Sequence, residues 1–425
     1  MILEKRIPGK KNKGLVIGYD LGNGFSQISY SISSGTAPET AAVVVGTELF
    51  NIPTVLCKRK DVNQWFFGRD AYRQAENGDG ELVEGLLQLA REGNPVYIEG
   101  ETFDPVALLT LFVKRSLSIL SLEVSVDLAD AIMVTTEELD HRTLSVLEQV
   151  VEGLHLKCKN IFFQSHIESC YYYILNQPKE LWNYQVLVSE MDADKLITYR
   201  LECNKKTSPM VVFIDKKEND RRPGTTEELD LWFTGMVKEV CAGRIVSTVY
   251  LLGDGFKGEW MQESLRFLCL NRRVFQGNNL YSKGACYAVR EKIDPGELDK
   301  QYVFLGDDKV KANIGLEVTK QGAGGYHPLL DAGINWYEAK AECDVLLEKE
   351  PEVVVCLMPL SAEKEGKRVV ISLTGLPERP EKTTRIHIEM EMLSGNKLQV
   401  RLSDMGFGEF FPRTKMTWKE EITIE

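Results

Sequence analysis

Residues 14–32 read GLVIGYDLGNGFSQISYSI. Val16 and Ile17 lead into Asp20, and Ile28, Tyr30 and Ile32 alternate beyond a turn of glycine and asparagine. That is the pattern of a strand, a tight hairpin turn and a second strand. Gly22 and Gly24 let the backbone approach a ligand and turn its N–H groups toward phosphate oxygens. Asp20, at the strand end, has the oxygen chemistry to hold a water of Mg²⁺. A turn of this composition also forms without any ligand, so the stretch alone leaves both readings open.

The surroundings narrow the class. The chain has 425 residues, enough for two or three domains. Lys and Arg total 51 against 63 Asp and Glu, a net charge of −12. Such an acidic chain is not drawn to nucleic-acid backbones. No uncharged apolar run reaches the ~18 residues of a membrane span, and the N-terminus lacks an apolar signal core. The expected compartment is therefore the cytoplasm. The nine cysteines form no CxxC pair and sit mostly in apolar runs, as small buried hydrophobes do. The five histidines stand in no metal-binding or Ser–His–Asp pattern.

Residues 1–13 read as a loose basic arm. Residues 14–300 read as α/β. FNIPTVLCKR (50–59) and DVNQWFFG (61–68) suggest a hairpin, and DPVALLTLFVKRSLSILS (104–121) suggests a helix capped by Asp104 with Pro105 in its first turn. ADAIMVTT (129–136) is a buried strand, 141–156 an amphipathic helix, 159–165 a strand and 166–178 a helix stopped before Pro178. Three strands then precede helix 225–243, which has a Thr cap and early glutamates. KGEWMQESLRFLCL (257–270) and GACYAVREK (284–292) read as helices. Past QYVFLGDDKV (301–310) the period becomes two. In RIHIEMEML, Ile386, Ile388, Met390 and Met392 face one way and His387, Glu389 and Glu391 the other. Residues 313–425 thus read as an antiparallel β domain with one buried face, joined through a linker at 301–312.

The order of these pieces resembles a known family. IGYDLGNGFS is similar to the first phosphate loop of the actin-like ATPase superfamily, and most closely to that of the seventy-kilodalton heat-shock chaperones of the DnaK type. The 52–74 hairpin, the 129–175 succession of strand, helix, strand and helix, VYLLGDGFKGEWMQESL and SKGACYAV resemble that family's next motifs in order. ISLTGLPERPEKTTRIHIEMEMLSGNKLQVRLSD resembles its peptide-binding β domain. The likeness covers most of residues 14–425. It implies an actin-like, ribonuclease H-like duplicated domain followed by an antiparallel β-sandwich without a helical lid. It implies ATP and Mg²⁺ as ligands, with Gly22, Asn23, Gly24, Gly253, Asp254 and Gly255 around the nucleotide and Asp20 near the metal.

The departures fall on the chemistry. Where the family has a second phosphate loop, Asp-Leu-Gly-Gly-Gly-Thr-Phe-Asp, this chain reads Glu190-Met-Asp192-Ala193-Asp194-Lys195-Leu-Ile197. The three glycines are gone and two carboxylates replace them, at a cost to any bound phosphate. The family's lysine falls near Tyr72 and Arg73, its helix glutamate at Ser165, and its last aspartate at Ile197. Of the catalytic set, Asp20 is kept, Glu190 is a longer substitute, and Arg73 is a cation of different shape. Phosphoryl transfer depends on placed charges, and most of them are missing. The subdomain that walls the adenine is also missing before helix 225–243.

The expectation is a DnaK-like protein that binds extended polypeptide or a partner protein, with an eroded ATPase site. The alternatives are an active ATPase using Asp20, Glu190 and Arg73 in rearranged roles, and a scaffold subunit of a larger assembly.

Overall fold

A computed structural model describes residues 14–424 apart from 34, 45, 159, 223, 278, 321, 349 and 361–364. The expected arm at 1–13 lies outside the described residues. The chain divides into two compact units, one running to Cys203 with Ile214–Lys300, the other Asn204–Phe213 with the chain from Gln301 on.

The first unit is mixed α/β. Its opening stretch forms the expected hairpin, Leu15–Leu21 and Phe25–Ser31. Two further strands, Ala129–Thr136 and Ile161–Ser165, add in parallel beside Leu15–Leu21, and Glu39–Thr40 pairs antiparallel on the other side. The second sheet repeats this plan. Gln185–Met191 and Lys195–Asn204 form an antiparallel pair, Met210–Asp220 follows, and Val246–Leu252 and Arg273–Gln276 add in parallel on the far side. Five strands of each six-stranded sheet share the chain order third, second, first, fourth, fifth; in the first sheet Ile52–Pro53 also pairs with Phe25–Ser31.

Local signals set these elements. Asp104 caps helix Pro105–Leu117, and Asp140 caps His141–Leu154. Thr225 and Glu228 close a capping box on Thr226–Cys241, so two donors at that helix end are satisfied reciprocally. Phe233 and Val237 of this helix pack on Leu187, Val249 and Leu251 of the second sheet. The last long helix, Leu280–Ile293, returns to the first sheet, where Ala285, Ala288 and Val289 meet Val16, Ala131 and Met133. A side chain at Gly284 would collide with the Ser169 carbonyl, so glycine lets this helix lie against His166–Leu175.

Three sequence expectations change. Residues 257–270 are helical only over Glu263–Leu268, because the Asp230 carboxylate takes the N–H groups of Gln262, Glu263 and Ser264 and starts the helix there. The helix read at 284–292 begins earlier, at Leu280. Within the expected linker 301–312, Tyr302–Phe304 form a strand parallel to Met210–Val212, both in the second unit.

The rest of the second unit is antiparallel, two four-stranded sheets. One contains Ala312–Lys320, Ala323–Leu330, Glu352–Pro359 and Lys367–Ser372. The other contains Lys340–Leu346, Arg385–Ser394, Lys397–Gly406 and Thr417–Thr423. Ile386, Ile388, Met390 and Met392 are buried, and so are Leu398, Val400 and Leu402 opposite them in register.

Candidate functional site

In open α/β sheets ligands settle outside the carboxyl ends of the parallel strands. Those ends converge here on a cavity of about 600 Å³. Asp20, Thr136 and His166 reach it from the first sheet, and Glu190, Leu252 and Gly253 from the second. The two hairpin turns, Gly22-Asn23-Gly24 and Asp192-Ala193, line it too.

The deepest groups form one chain of contacts. His166 is the first residue of its helix, entered from strand Ile161–Ser165 without a loop, so its ring is held at the strand end. Its Nε2 lies 2.7 Å from Asp20 Oδ1. Its ring stacks on Tyr281, with centroids 3.8 Å apart and planes 8° from parallel. The Tyr281 hydroxyl donates to Glu190 Oε2 at 2.5 Å. Asp20, His166 and Tyr281 are 3 %, 7 % and 3 % exposed. The contacts therefore join the matching carboxylates of the two sheets through a buried imidazole–phenol stack.

Burial disfavours the charged imidazole, but the Asp20 carboxylate, with Glu190 and Glu137 further off, more than offsets it and moves His166 upward from its usual value. Burial also pushes the Glu190 carboxyl up, only partly opposed by His166 and the Tyr281 hydroxyl. Burial and then the Glu190 charge push the Tyr281 phenol well up.

The second turn is closed on itself. Asp192 Oδ1 accepts from the backbone N–H groups of Asp194 at 2.8 Å and Lys195 at 2.7 Å. Arg221 donates to the carbonyls of Asp192 and Ala193. In the first turn, Asn23 Oδ1 accepts from the N–H of Gln88 at 2.9 Å. Gly253 has φ +89°, and a side chain there would strike the Met191 carbonyl, so only glycine fits beside the second turn.

Asp20, Glu190, Gly22, Asn23, Gly24, Gly253 and Asp254 thus come together as the sequence suggested. Gly255 is not among the lining residues; its carbonyl accepts from Trp260 Nε1. Arg73 also stays away. It is exposed on helix Gly68–Glu76 and pairs with Asp70 at 3.3 Å. The cavity's cations are instead Arg91, 2.9 Å from Asp140, and Lys195. Sequence reading missed His166 and Tyr281. The 146-residue separation of Asp20 and His166 hides their pairing, and Tyr281 sits in a helical turn that precedes the helix read at 284–292.

The second unit carries its own groove, of about 770 Å³. It lies at the ends of strands Ala312–Lys320, Lys340–Leu346 and Glu352–Pro359, with Leu316, Val318, Val345, Leu347 and Val353 among its lining. Glu317, Asp344, Glu348, Glu350 and Glu352 stand around it against Lys382.

Fold and sites define a protein of two units, an α/β unit of two sheets with a shared strand order and a cleft at its strand ends, and a unit of two antiparallel sheets with a groove lined by apolar and acidic residues. Residues 37–307 match the sequence model described as "Family of unknown function (DUF5716) C-terminal", and residues 309–424 that of "Domain of unknown function (DUF8552)". The first match covers more than half of the chain, which belongs to the DUF5716 family. No curated protein matches the chain.

Proposed function

We propose that this protein binds extended polypeptide segments in the groove of its β-sandwich unit, as a relative of the DnaK-type chaperones whose ATPase site has lost its chemistry. The groove carries the reading. It is open at the ends of three strands, apolar within and acidic around, which suits a short extended segment with apolar side chains and Lys or Arg flanks. The repeated strand order of the two α/β sheets supports an actin-like duplicated fold.

The residues of the cleft do not fit a Mg²⁺–nucleotide. Asp20 is already paired with His166, Glu190 with Tyr281, and the amides of the second turn with Asp192. A phosphate arriving there meets Glu190 and Asp192 rather than free N–H groups, and like charge repels it. Arg73 is elsewhere. We assign no hydrolytic step to this cleft.

Fluorescence anisotropy of a labelled peptide with a leucine core and lysine flanks, titrated with the full chain, tests the proposal. Saturable binding is expected, unchanged by ATP and Mg²⁺ and weakened about tenfold or more by Leu346→Asp at the exposed groove edge. No saturation with any such peptide overturns the binding role. Single-turnover ATP hydrolysis above background overturns the assignment of an inactive cleft.

A further inference from the structure

The second unit presents a loop of phenylalanines that the groove does not use. Residues 407–412 read FGEFFP, and Phe410 is 92 % exposed and Phe407 48 %. Two exposed phenylalanines on one short loop form a small apolar patch, and such a patch can serve as a contact.

The loop is held in place from beneath. Phe407 N–H donates to the Phe411 carbonyl at 2.6 Å, closing the turn. Gly406 has φ +61°, and a side chain there would collide with the Phe411 carbonyl. Below it, Arg379 makes two parallel hydrogen bonds of 2.8 Å to Asp404, and a third to the Pro412 carbonyl at 3.0 Å. Asp404 also accepts from the N–H groups of Gly406 and Thr414. The side chains of this pair are 5 % and 0 % exposed. A buried, fully bonded pair costs more to form than an apolar contact of its size. Its effect here is to fix the loop that carries Phe410, so little ordering remains to be done on binding.

Strand register places this loop at the groove's end of the sheet. Leu346, a groove residue, pairs with Arg385, and Arg385 pairs with Gly406. Two strand spacings separate Leu346 from Gly406, about 10 Å. An extended chain crosses that distance in about three residues.

We infer that Phe410, with Phe407, forms a second apolar contact for the polypeptide segment held in the groove, so that the partner is a segment with two apolar clusters a few residues apart. This rests on the groove reading above.

Two labelled peptides of equal length and charge test it on the full chain. One has a single leucine cluster, the other a second cluster about three residues away. The two-cluster peptide is expected to bind about tenfold more tightly, and Phe410→Ser to remove that advantage while leaving the single-cluster peptide unchanged. Phe410→Leu, which keeps an apolar tip, restores much of it. Equal affinity for the two peptides, or an equal loss for both in Phe410→Ser, overturns the inference and leaves the groove reading standing. Loss of self-association in Phe410→Ser without any difference between the peptides also overturns it and assigns the loop to a second copy of the chain. Failure of both peptides to bind the unaltered chain removes groove and loop together.

Discussion

The two hairpin turns of the α/β unit occupy the same place in two sheets of the same plan, and they do opposite things. Leu21 pairs with Ser26 and Met191 with Leu196, so the turns are equal in length and Gly22, Asn23 and Gly24 stand where Asp192, Ala193 and Asp194 stand. Asp20 and Glu190 precede them at the same strand position. The first turn keeps its glycines and is tied through the Asn23 side chain, which accepts from Gln88, and the Gly24 carbonyl, which accepts from the N–H of Thr54. The second has turned its own carboxylate onto its own amides. A turn that binds an anion must leave N–H groups free, and an aspartate inside the turn competes for them intramolecularly. Equal backbone geometry therefore does not imply equal chemistry.

The sharpest way to break the comparison is at the carboxylates. His166→Ala leaves Asp20 buried without its partner and is expected to cost about 3–5 kcal/mol in urea unfolding. A loss under about 1 kcal/mol would mean that water replaces the imidazole freely. The same pair sets a pH dependence. His166 titrates above its unfolded value of about 6.5, so its contribution is full below that pH and is lost as pH rises through the folded value. Glu190, also shifted up, adds a cost that grows above about 4.3, in the same direction. Stability of the unaltered protein should fall between neutral and alkaline pH, and this slope should flatten in His166→Ala. A steeper slope in the variant contradicts the pairing.

On the second sheet the matching change is milder. Tyr281→Phe removes the donor to Glu190, which is only part-buried, at an expected cost of about 1–3 kcal/mol. Asp192→Ala frees two amides at an exposed turn for about 1 kcal/mol. It is also expected to raise the affinity for pyrophosphate, followed by calorimetry. An unchanged pyrophosphate affinity would show that Asp192 is not what closes the turn to anions. The smallest effect belongs to the first turn. Asn23→Ala unties one exposed hydrogen bond to Gln88, worth about 0.5–1 kcal/mol, and should leave pyrophosphate affinity as it was.

Much of the fold was legible in the residues. Period-two alternation in 385–392 and 398–402 marked the antiparallel β unit, because a sheet with one wet face must alternate. Asp104 and Thr225 marked helix starts, because a cap needs only the next three residues. Gly22, Gly24 and Asp20 marked the cleft for a similar reason: the turn is made by neighbours in sequence. Arg73 lies away from the cleft, paired with Asp70, because nothing local in the sequence fixes where an exposed arginine on a helix points.

What the sequence by itself determined is local: where strands and helices begin, which face of each is apolar, and that the second loop could not be a glycine cradle. Only the tertiary structure decided that Asp20 meets His166, that Tyr281 bridges to Glu190, and that the Phe410 loop stands at the groove's end of its sheet. Those contacts join residues far apart in the chain. They are set by how sheets and helices pack against one another, and no short-range propensity encodes that packing.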